Sequence, residues 1–62
     1  MIASDASSVL TFPQGFKPVR VTSAAGTYIS LSTNTPQFDG FLYYLNTGVA
    51  ASTNYDCELV EV

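Results

Sequence analysis

The chain has 62 residues, of which two are Lys or Arg, five are Asp or Glu and none is His, so its net charge is −3. A chain of this length forms a single domain, and so small a core usually needs a disulfide, a metal site or a partner for stability. One Cys excludes an internal disulfide, and one Cys without His excludes a thiolate–imidazole zinc site. Oligomerisation or docking on a partner is the support that remains.

The low charge agrees with this interpretation. Charged residues make up 11% of the chain, against about 25% in typical soluble domains. Ser and Thr, seven of each, supply much of the polarity. A buried hydroxyl costs less than a buried charge, so such a surface suits one that neighbours cover. A monomer solubilised by its hydroxyl groups is the alternative.

The chain shows no targeting or membrane segment. Its first eight residues lack the basic and apolar regions of a secretory signal. No segment approaches the roughly 20 apolar residues of a membrane span. We therefore expect no secretion by a signal peptide and no membrane partner. The unpaired Cys57 is compatible with synthesis and assembly in a cytoplasm.

Turn signals recur at short intervals, and no window has apolar residues at helical spacing. Between the turns lie short runs rich in Val, Ile, Thr, Tyr and Phe, which are typical of strands. They predict strands at 8–12, 18–23, 27–33, 41–46, 49–52 and 55–62. The sequence thus predicts one all-β domain over 1–62, with an N-terminal arm at 1–7. We expect a small antiparallel β-sandwich or barrel of five to six short strands joined by hairpins.

The second and third predicted strands each have one apolar face. Alternation places Val19 and Val21 on one face of the second strand, and Ile29 and Leu31 on one face of the third. The segment 23–26 fits a compact hairpin loop, because Gly can adopt a positive φ there. We therefore expect these strands to pair as a hairpin.

The dipeptide at 39–40, Asp-Gly, predicts a tight hairpin turn that places Phe38 opposite Phe41. In that register Pro36 would stand where the ladder needs an N–H, which proline lacks. We therefore predict that the incoming strand is short, ending near Gln37, or that the loop is wider than two residues. This hairpin is expected to project from the body of the domain.

The segment 46–48, Asn-Thr-Gly, fits a three-residue hairpin loop that places Leu45 opposite Val49. Tyr43 and Tyr44 point to opposite faces of the preceding strand. Because both faces are apolar, this strand is expected to be central in the domain or covered by another subunit.

The last predicted strand changes face midway. Tyr55, Cys57 and Leu59 share one face, whereas Val60 and Val62 share the face of the acidic residues. A β-bulge near Leu59 and Val60 would restore one continuous apolar face. Alternatively, the final residues bury against a different neighbour.

The residues for catalysis are scarce. Without His the commonest general base is missing, and no Ser lies in a nucleophile motif. Asp56 and Glu58 fit a solvated strand edge better than a paired-carboxylate site, and these flanking acids disfavour a Cys57 thiolate. We therefore expect no enzyme, and no catalytic, cofactor-binding or metal-ligating residues.

The basic residues are too few for a nucleic-acid interface. Phosphate contacts need Lys and Arg, and the chain has only Lys17 and Arg20. Tyr28, Phe41, Tyr43 and Tyr44 could stack on single-stranded bases, but these aromatic residues are interpreted as core or interface residues, with stacking on sugar rings as a minor alternative. The acidic residues concentrate at 56–61. If the second and last strands pair within one subunit, the opposite charges form a surface ion pair; otherwise the molecule has a basic and an acidic end.

The chain resembles small virion proteins of tailed phages. The features that carry the resemblance are a Met1 start, Ser, Thr, Ala and Gly in abundance, few charges, and the segments 18–22 (PVRVT) and 26–31 (GTYISL). Within that group it is similar to capsid decoration (cement) proteins and to the β-modules at the base of spikes and fibres. The resemblance implies a non-enzymatic protein in many copies, located in the virion, that stabilises subunit junctions of a capsid.

The sequence therefore predicts a structural protein whose partners are further copies of itself and a larger protein assembly such as a capsid. Two alternatives are a small protein-binding inhibitor that uses its acidic last strand, and a sugar-binding module that uses its tyrosines. The predicted interface residues are Lys17, Arg20, Phe38, Phe41, Tyr43, Tyr44, Val60 and Val62.

Overall fold

The computed structural model describes all residues from Met1 to Val62. It contains seven strands and no helix, which confirms the all-β prediction. The strands are β1 (Ile2–Ala3), β2 (Leu10–Thr11), β3 (Phe16–Ser23), β4 (Tyr28–Ile29), β5 (Gln37–Phe38), β6 (Tyr43–Leu45) and β7 (Asn54–Glu61). They form two antiparallel sheets, one in the order β1-β7-β3-β4 and one in the order β2-β6-β5. The six predicted ranges contain neither β1, which lies within the predicted N-terminal arm, nor β5, which only the predicted hairpin at 39–40 implied.

The core lies between the two sheets. Val21 and Tyr55 face it from the four-stranded sheet, and Leu10 and Leu45 from the three-stranded sheet. Phe12, just after β2, is also buried. Each such side chain contributes about 1.5–3 kcal/mol when it leaves water. With only five apolar side chains fully enclosed, the core is small, as the chain length predicts.

The longest pairing, between β3 and β7, contains a β-bulge. Pro18 is opposite Leu59 and Arg20 is opposite Glu58, so Val19 is the extra residue. Val19 is 50% exposed, whereas Val21 is completely buried. The prediction that these two valines share a face is therefore wrong, because the extra residue lets positions 18 and 21 both face the core.

β7 itself keeps a regular alternation. Tyr55 is buried, and Cys57 and Leu59 pack against the core, whereas Val60 and Val62 remain exposed. The predicted bulge near Leu59 and Val60 is therefore wrong, since the irregularity lies in the partner strand β3. No neighbour within the chain buries the last two valines.

The β3–β4 hairpin was predicted correctly. Val21 pairs with Ile29, and the N–H of Ser23 donates to the Thr27 carbonyl at 2.8 Å. β4 is shorter than the predicted strand at 27–33. The reason is a turn that follows it, in which the Ser30 carbonyl accepts hydrogen bonds from the backbone N–H and the side-chain amide of Asn34.

The β5–β6 hairpin has a four-residue loop at 39–42. Phe38 pairs with Tyr43 rather than with Phe41, so the tight turn is wrong and the prediction of a wider loop and a short incoming strand is confirmed. The carboxylate of Asp39 causes the wider loop, because its Oδ1 accepts hydrogen bonds from two successive backbone N–H groups of the loop.

The predicted strand at 49–52 does not exist. Leu45 pairs with Leu10 of β2 instead of with Val49. The segment after β6 is a loop that the N-terminal residues hold in place. The N–H of Ser52 donates to the Asp5 carbonyl at 2.9 Å, and the Ser4 hydroxyl donates to the Ala50 carbonyl.

Candidate docking surface

The strand directions bring parts of both sheets to one end of the molecule. β2 runs toward this end and continues through the turn at 13–15 into β3, which therefore begins there. Because β7 is antiparallel to β3, with Phe16 opposite Glu61, β7 ends there. Because β6 is antiparallel to β2, β6 begins and β5 ends at this same end, and the loop 39–42 joins them.

Two backbone hydrogen bonds extend the pairing at this end. The N–H of Phe12 donates to the Tyr43 carbonyl at 3.0 Å, and the N–H of Val62 donates to the Gly15 carbonyl at 2.9 Å. The turn at 13–15 joins these two pairings. The start of β6 and the end of β7 are thus only a few residues apart along this path.

Exposed apolar side chains concentrate at this end. The chain has eight exposed large hydrophobic residues, and five of them lie here, with exposed fractions between 38% and 66%. Single exposed apolar residues are ordinary on protein surfaces, whereas several at one end of a small domain make that end a candidate interaction site. We call this group the apolar end, and it consists of Phe16, Phe38, Phe41, Val60 and Val62.

The loop that presents Phe41 is held in a defined conformation. Oδ1 of Asp39 accepts the N–H groups of Leu42 and Phe41, each at 2.8 Å. These two hydrogen bonds hold the pKa of Asp39 below its ordinary value. Beside the loop, the rings of Phe38 and Tyr43 lie 4.8 Å apart between centroids, with a 38° angle between their planes. The loop backbone and the Phe38 ring are therefore held in place by contacts within the chain.

Six of the eight predicted interface residues lie at or beside this end. Phe38, Phe41, Val60 and Val62 belong to the apolar end, and Lys17 is opposite Val60 in the sheet. The sixth, the half-buried tyrosine at 43, packs against the core and contacts one of the phenylalanines.

Arg20 and Tyr44 are not part of this group. Arg20 is in the middle of β3, on the outer face of the four-stranded sheet. Tyr44 is half-buried in β6, where it pairs with Thr11 on one side and Gln37 on the other. It follows Tyr43 directly and points to the other face of the strand.

The opposite charges of β3 and β7 meet within one subunit. Nε of Arg20 lies 3.6 Å from Oε2 of Glu58. The guanidinium carbon of Arg20 also lies 5.2 Å from the centre of the Tyr28 ring. Both partners of the ion pair are more than half exposed, so it contributes about 0–1 kcal/mol. Of the two arrangements that the charge pattern allowed, the structure has the one within a subunit.

Phe16 was not among the predicted interface residues. It is the first residue of β3, directly after the turn at 13–15, and it is 38% exposed. The proline and glycine of that turn locate the strand start in the sequence. The position of Phe16 beside the end of β7 depends on the β3–β7 register, which no local pattern contains.

The remaining chemistry of the chain is sparse. Burial raises the pKa of the half-buried Cys57 thiol, and the nearby Asp56 carboxylate raises it further. The structure shows no cluster of three or more potential metal ligands and no pocket. It has no helix that could cross a membrane. Comparisons with protein-family models, curated proteins and solved structures find no match to this chain.

Proposed function

We propose that this chain is a structural protein without enzymatic activity that docks on a larger protein assembly through its apolar end. The grouping of Phe16, Phe38, Phe41, Val60 and Val62 at one end of the sandwich is the observation that supports this proposal most strongly. These side chains are between 38% and 66% exposed, so a partner that covers one of them gains only part of the roughly 1.5–3 kcal/mol of full burial. The other three exposed large hydrophobic residues are Met1, Val19 and Tyr28.

The fixed backbone conformation of the apolar end also favours docking. Binding costs free energy when side chains and loops must be immobilised, and a preorganised surface avoids part of this cost. The two hydrogen bonds to Asp39 fix the loop 39–42 before binding. The β3 and β7 residues of the apolar end lie on paired strands. A partner therefore meets a surface whose backbone is already in place.

The size of the chain is consistent with this use. Its whole accessible surface is 3828 Å², so an ordinary interface of about 800 Å² per partner would cover about a fifth of it. A core this small has little stability of its own, and a docked partner stabilises the folded state by mass action. Docking thus supplies what disulfides or metals supply in other small domains.

We propose, more specifically, that the assembly is the capsid of a tailed phage and that the chain is a decoration protein of the virion. The resemblance of the sequence to such proteins supports this assignment. Further copies of the chain are a second partner, since contacts between neighbouring copies on a shell would cover more of the weakly charged surface.

Cosedimentation with purified empty capsids of tailed phages, stripped of their own decoration proteins, tests this assignment. We expect saturable binding of the chain to at least one capsid type. The double variant Phe41→Ser, Val62→Ser should lose that binding. The matched control Tyr28→Ser, Val19→Ser removes one aromatic and one valine from the outer sheet face and should keep it. Failure of the chain to bind any capsid would contradict the capsid assignment, and equal loss in both double variants would contradict the apolar end.

A further inference from the structure

The two sides of β7 are paired to different extents. β3 covers Tyr55–Glu61 on one side. On the other side β1 covers only Asn54 and Tyr55. The segment 56–61 therefore has no neighbouring strand on the β1 side, and we call this side of 56–61 the open edge.

The direction of the backbone groups along β7 follows from hydrogen bonds at its two ends. The N–H of Val62 donates toward β3, to Gly15, whereas the Thr53 carbonyl accepts from Ser4 on the β1 side. Within a strand, the N–H and C=O of one residue point to the same side, and those of the next residue point to the other side. The β-bulge lies in β3, so this alternation continues without interruption through β7.

The open edge consequently presents the N–H and C=O groups of alternate residues. These residues are Cys57, Leu59 and Glu61. Three donors and three acceptors point away from β3, spaced as in a β-ladder. Such a row is a template for an additional strand.

The other long strand, β3, is protected on its free side. β4 pairs with β3 only at Val21 and Thr22, so the first half of β3 also lacks a neighbour there. The N–H of Phe16 donates to the Pro13 carbonyl and not to β7, so the nitrogen of Pro18, two residues further, faces the same free side. Pro18 has no N–H, and the bulge at Val19 breaks the ladder spacing. Prolines and bulges are among the means by which proteins block a sheet edge against pairing.

The open edge of β7 has neither protection. The segment 56–61 contains no proline and no bulge. One long strand is therefore blocked against pairing and the other is left available. This contrast within one sheet is the reason to assign a binding role to the open edge.

The side chains beside the open edge define the partner. Cys57 and Leu59 are half-buried on the core side, so the residues of an added strand next to them would be apolar. Asp56 and Glu58 are exposed on the outer side, so the alternate residues of that strand would be basic. Pairing of β7 with β7 of a second copy would bring two sets of three carboxylates together, which charge repulsion disfavours.

We propose that the open edge binds an extended segment of another protein, in which apolar residues alternate with Lys or Arg, as an added strand in line with β1. This proposal deepens the proposed function, because the edge runs into the apolar end at Val60 and Val62. It names the kind of segment that the larger assembly would supply. On the side of this chain, binding of the added strand requires the backbone groups of β7 and the charges of its outer face.

Amide hydrogen exchange on the ¹⁵N-labelled chain, alone and with an eight-residue peptide of alternating Val and Lys, tests this proposal. In the free chain the amides of Leu59 and Glu61 should exchange faster than those of Glu58 and Val60, which face β3. The Val-Lys peptide should slow exchange at Leu59 and Glu61 and shift their resonances with saturation. A peptide of alternating Val and Glu should leave both unchanged.

Three variants separate the contributions of the edge hydrogen bond, the Glu61 charge and the apolar end to peptide binding. Glu61→Pro removes one edge donor without removing a bond to β3, and it should weaken peptide binding by about fivefold, as expected for one hydrogen bond. Glu61→Gln keeps that donor and removes only the charge, so it should weaken binding less. Phe41→Ser should leave peptide binding unchanged, so that a failure of the apolar end and a failure of the open edge give different results.

Several outcomes would overturn the proposal. Slow exchange at Leu59 and Glu61 in the dilute free chain would show that the edge is already covered. Protection that grows with protein concentration alone would assign the edge to a second copy. Equal binding of both peptides would remove the charge argument, and no binding of the Val-Lys peptide to an edge whose amides exchange freely would remove the proposal itself.

Discussion

The two ends of the sandwich differ in how they are closed. At the end opposite the apolar end, the buried hydroxyl of Ser4 accepts the N–H of Thr53 and donates to the Ala50 carbonyl. The hydroxyl of Tyr55 accepts the N–H of Ala50 at 2.9 Å. We call this the serine end. Its loops are held by hydrogen bonds within the chain, whereas the apolar end leaves aromatic and aliphatic side chains in water.

This difference indicates which end the chain stabilises by itself. A buried polar group stabilises a fold only when its partners are present in the same chain, and the serine end has them. The apolar end has a backbone held by hydrogen bonds but no covering layer, so Phe41 and Val62 could be buried only by a second molecule. Substitutions at the two ends should therefore affect different properties.

The largest effect on stability is expected at the serine end. Ser4→Ala removes the acceptor for the Thr53 N–H and the donor to the Ala50 carbonyl. Thr53 is half-buried, and leaving its N–H without a partner costs about 1–3 kcal/mol, whereas water can reach the exposed Ala50. Urea unfolding followed by circular dichroism measures this loss. The matched control is Ser7→Ala, which removes an exposed hydroxyl close to Ser4 in the sequence. It should change the unfolding free energy by less than about 0.5 kcal/mol. A Ser4→Ala chain as stable as the control would contradict the account of this end.

A smaller loss is expected for Tyr55→Phe. The substitution keeps the buried ring and removes only the hydroxyl that accepts the Ala50 N–H. Because Ala50 is exposed, water can replace the lost acceptor, so the cost should be about 1 kcal/mol. The same urea experiment measures it. A loss as large as that of Ser4→Ala would contradict the larger role that we assign to the serine hydroxyl.

The surface ion pair between the two long strands should contribute still less. A double-mutant cycle with Arg20→Ala and Glu58→Ala should give a coupling free energy of at most about 1 kcal/mol, decreasing in high salt. Exposure of both side chains is the reason. A coupling that salt does not weaken would show that the pair is shielded from solvent, contrary to the structure.

The smallest effect is local and depends on pH. The lowered pKa of Asp39 means that the folded state favours its carboxylate. Its contribution is therefore complete above the unfolded pKa of about 3.9, and it is lost as the pH falls through the lower folded value. The amide resonances of Leu42 and Phe41 should shift with a midpoint below about pH 3.9. In Asp39→Asn they should not titrate. A midpoint above that value would contradict the hydrogen bonds to the loop.

Local patterns in the sequence predicted part of this fold. The β3–β4 hairpin follows from alternation on both sides of a Gly-containing loop, and the wide loop at 39–42 follows from the conflict that Pro36 creates. The strand predicted at 49–52 was wrong because Ser4, 46 positions before Ala50, holds that segment as a loop. The bulge at Val19 depends on the register with β7. Neither the Ser4–Ala50 hydrogen bond nor the β3–β7 register can be recognised from a local sequence pattern.

For the candidate site, too, the sequence predicted individual residues but not how the fold brings them together. Phe38, Phe41, Val60 and Val62 were selected as residues that so small a fold has difficulty burying, and the structure leaves all four exposed. Their position at one end depends on strand order, which alternation does not determine. For the same reason Phe16 was missed. The open edge of β7 also follows only from the pairing of the strands.

Cosedimentation of Phe41→Ser with the stripped capsids, together with its unfolding free energy, tests the central claim most directly. The claim is that the apolar end is a docking surface and contributes little to the stability of the isolated chain. We expect the wild-type chain to sediment with at least one capsid type and Phe41→Ser to bind it more weakly, while their unfolding free energies, measured at low concentration, agree within about 0.5 kcal/mol. Loss of stability in the variant, with no change in capsid binding, would contradict the claim.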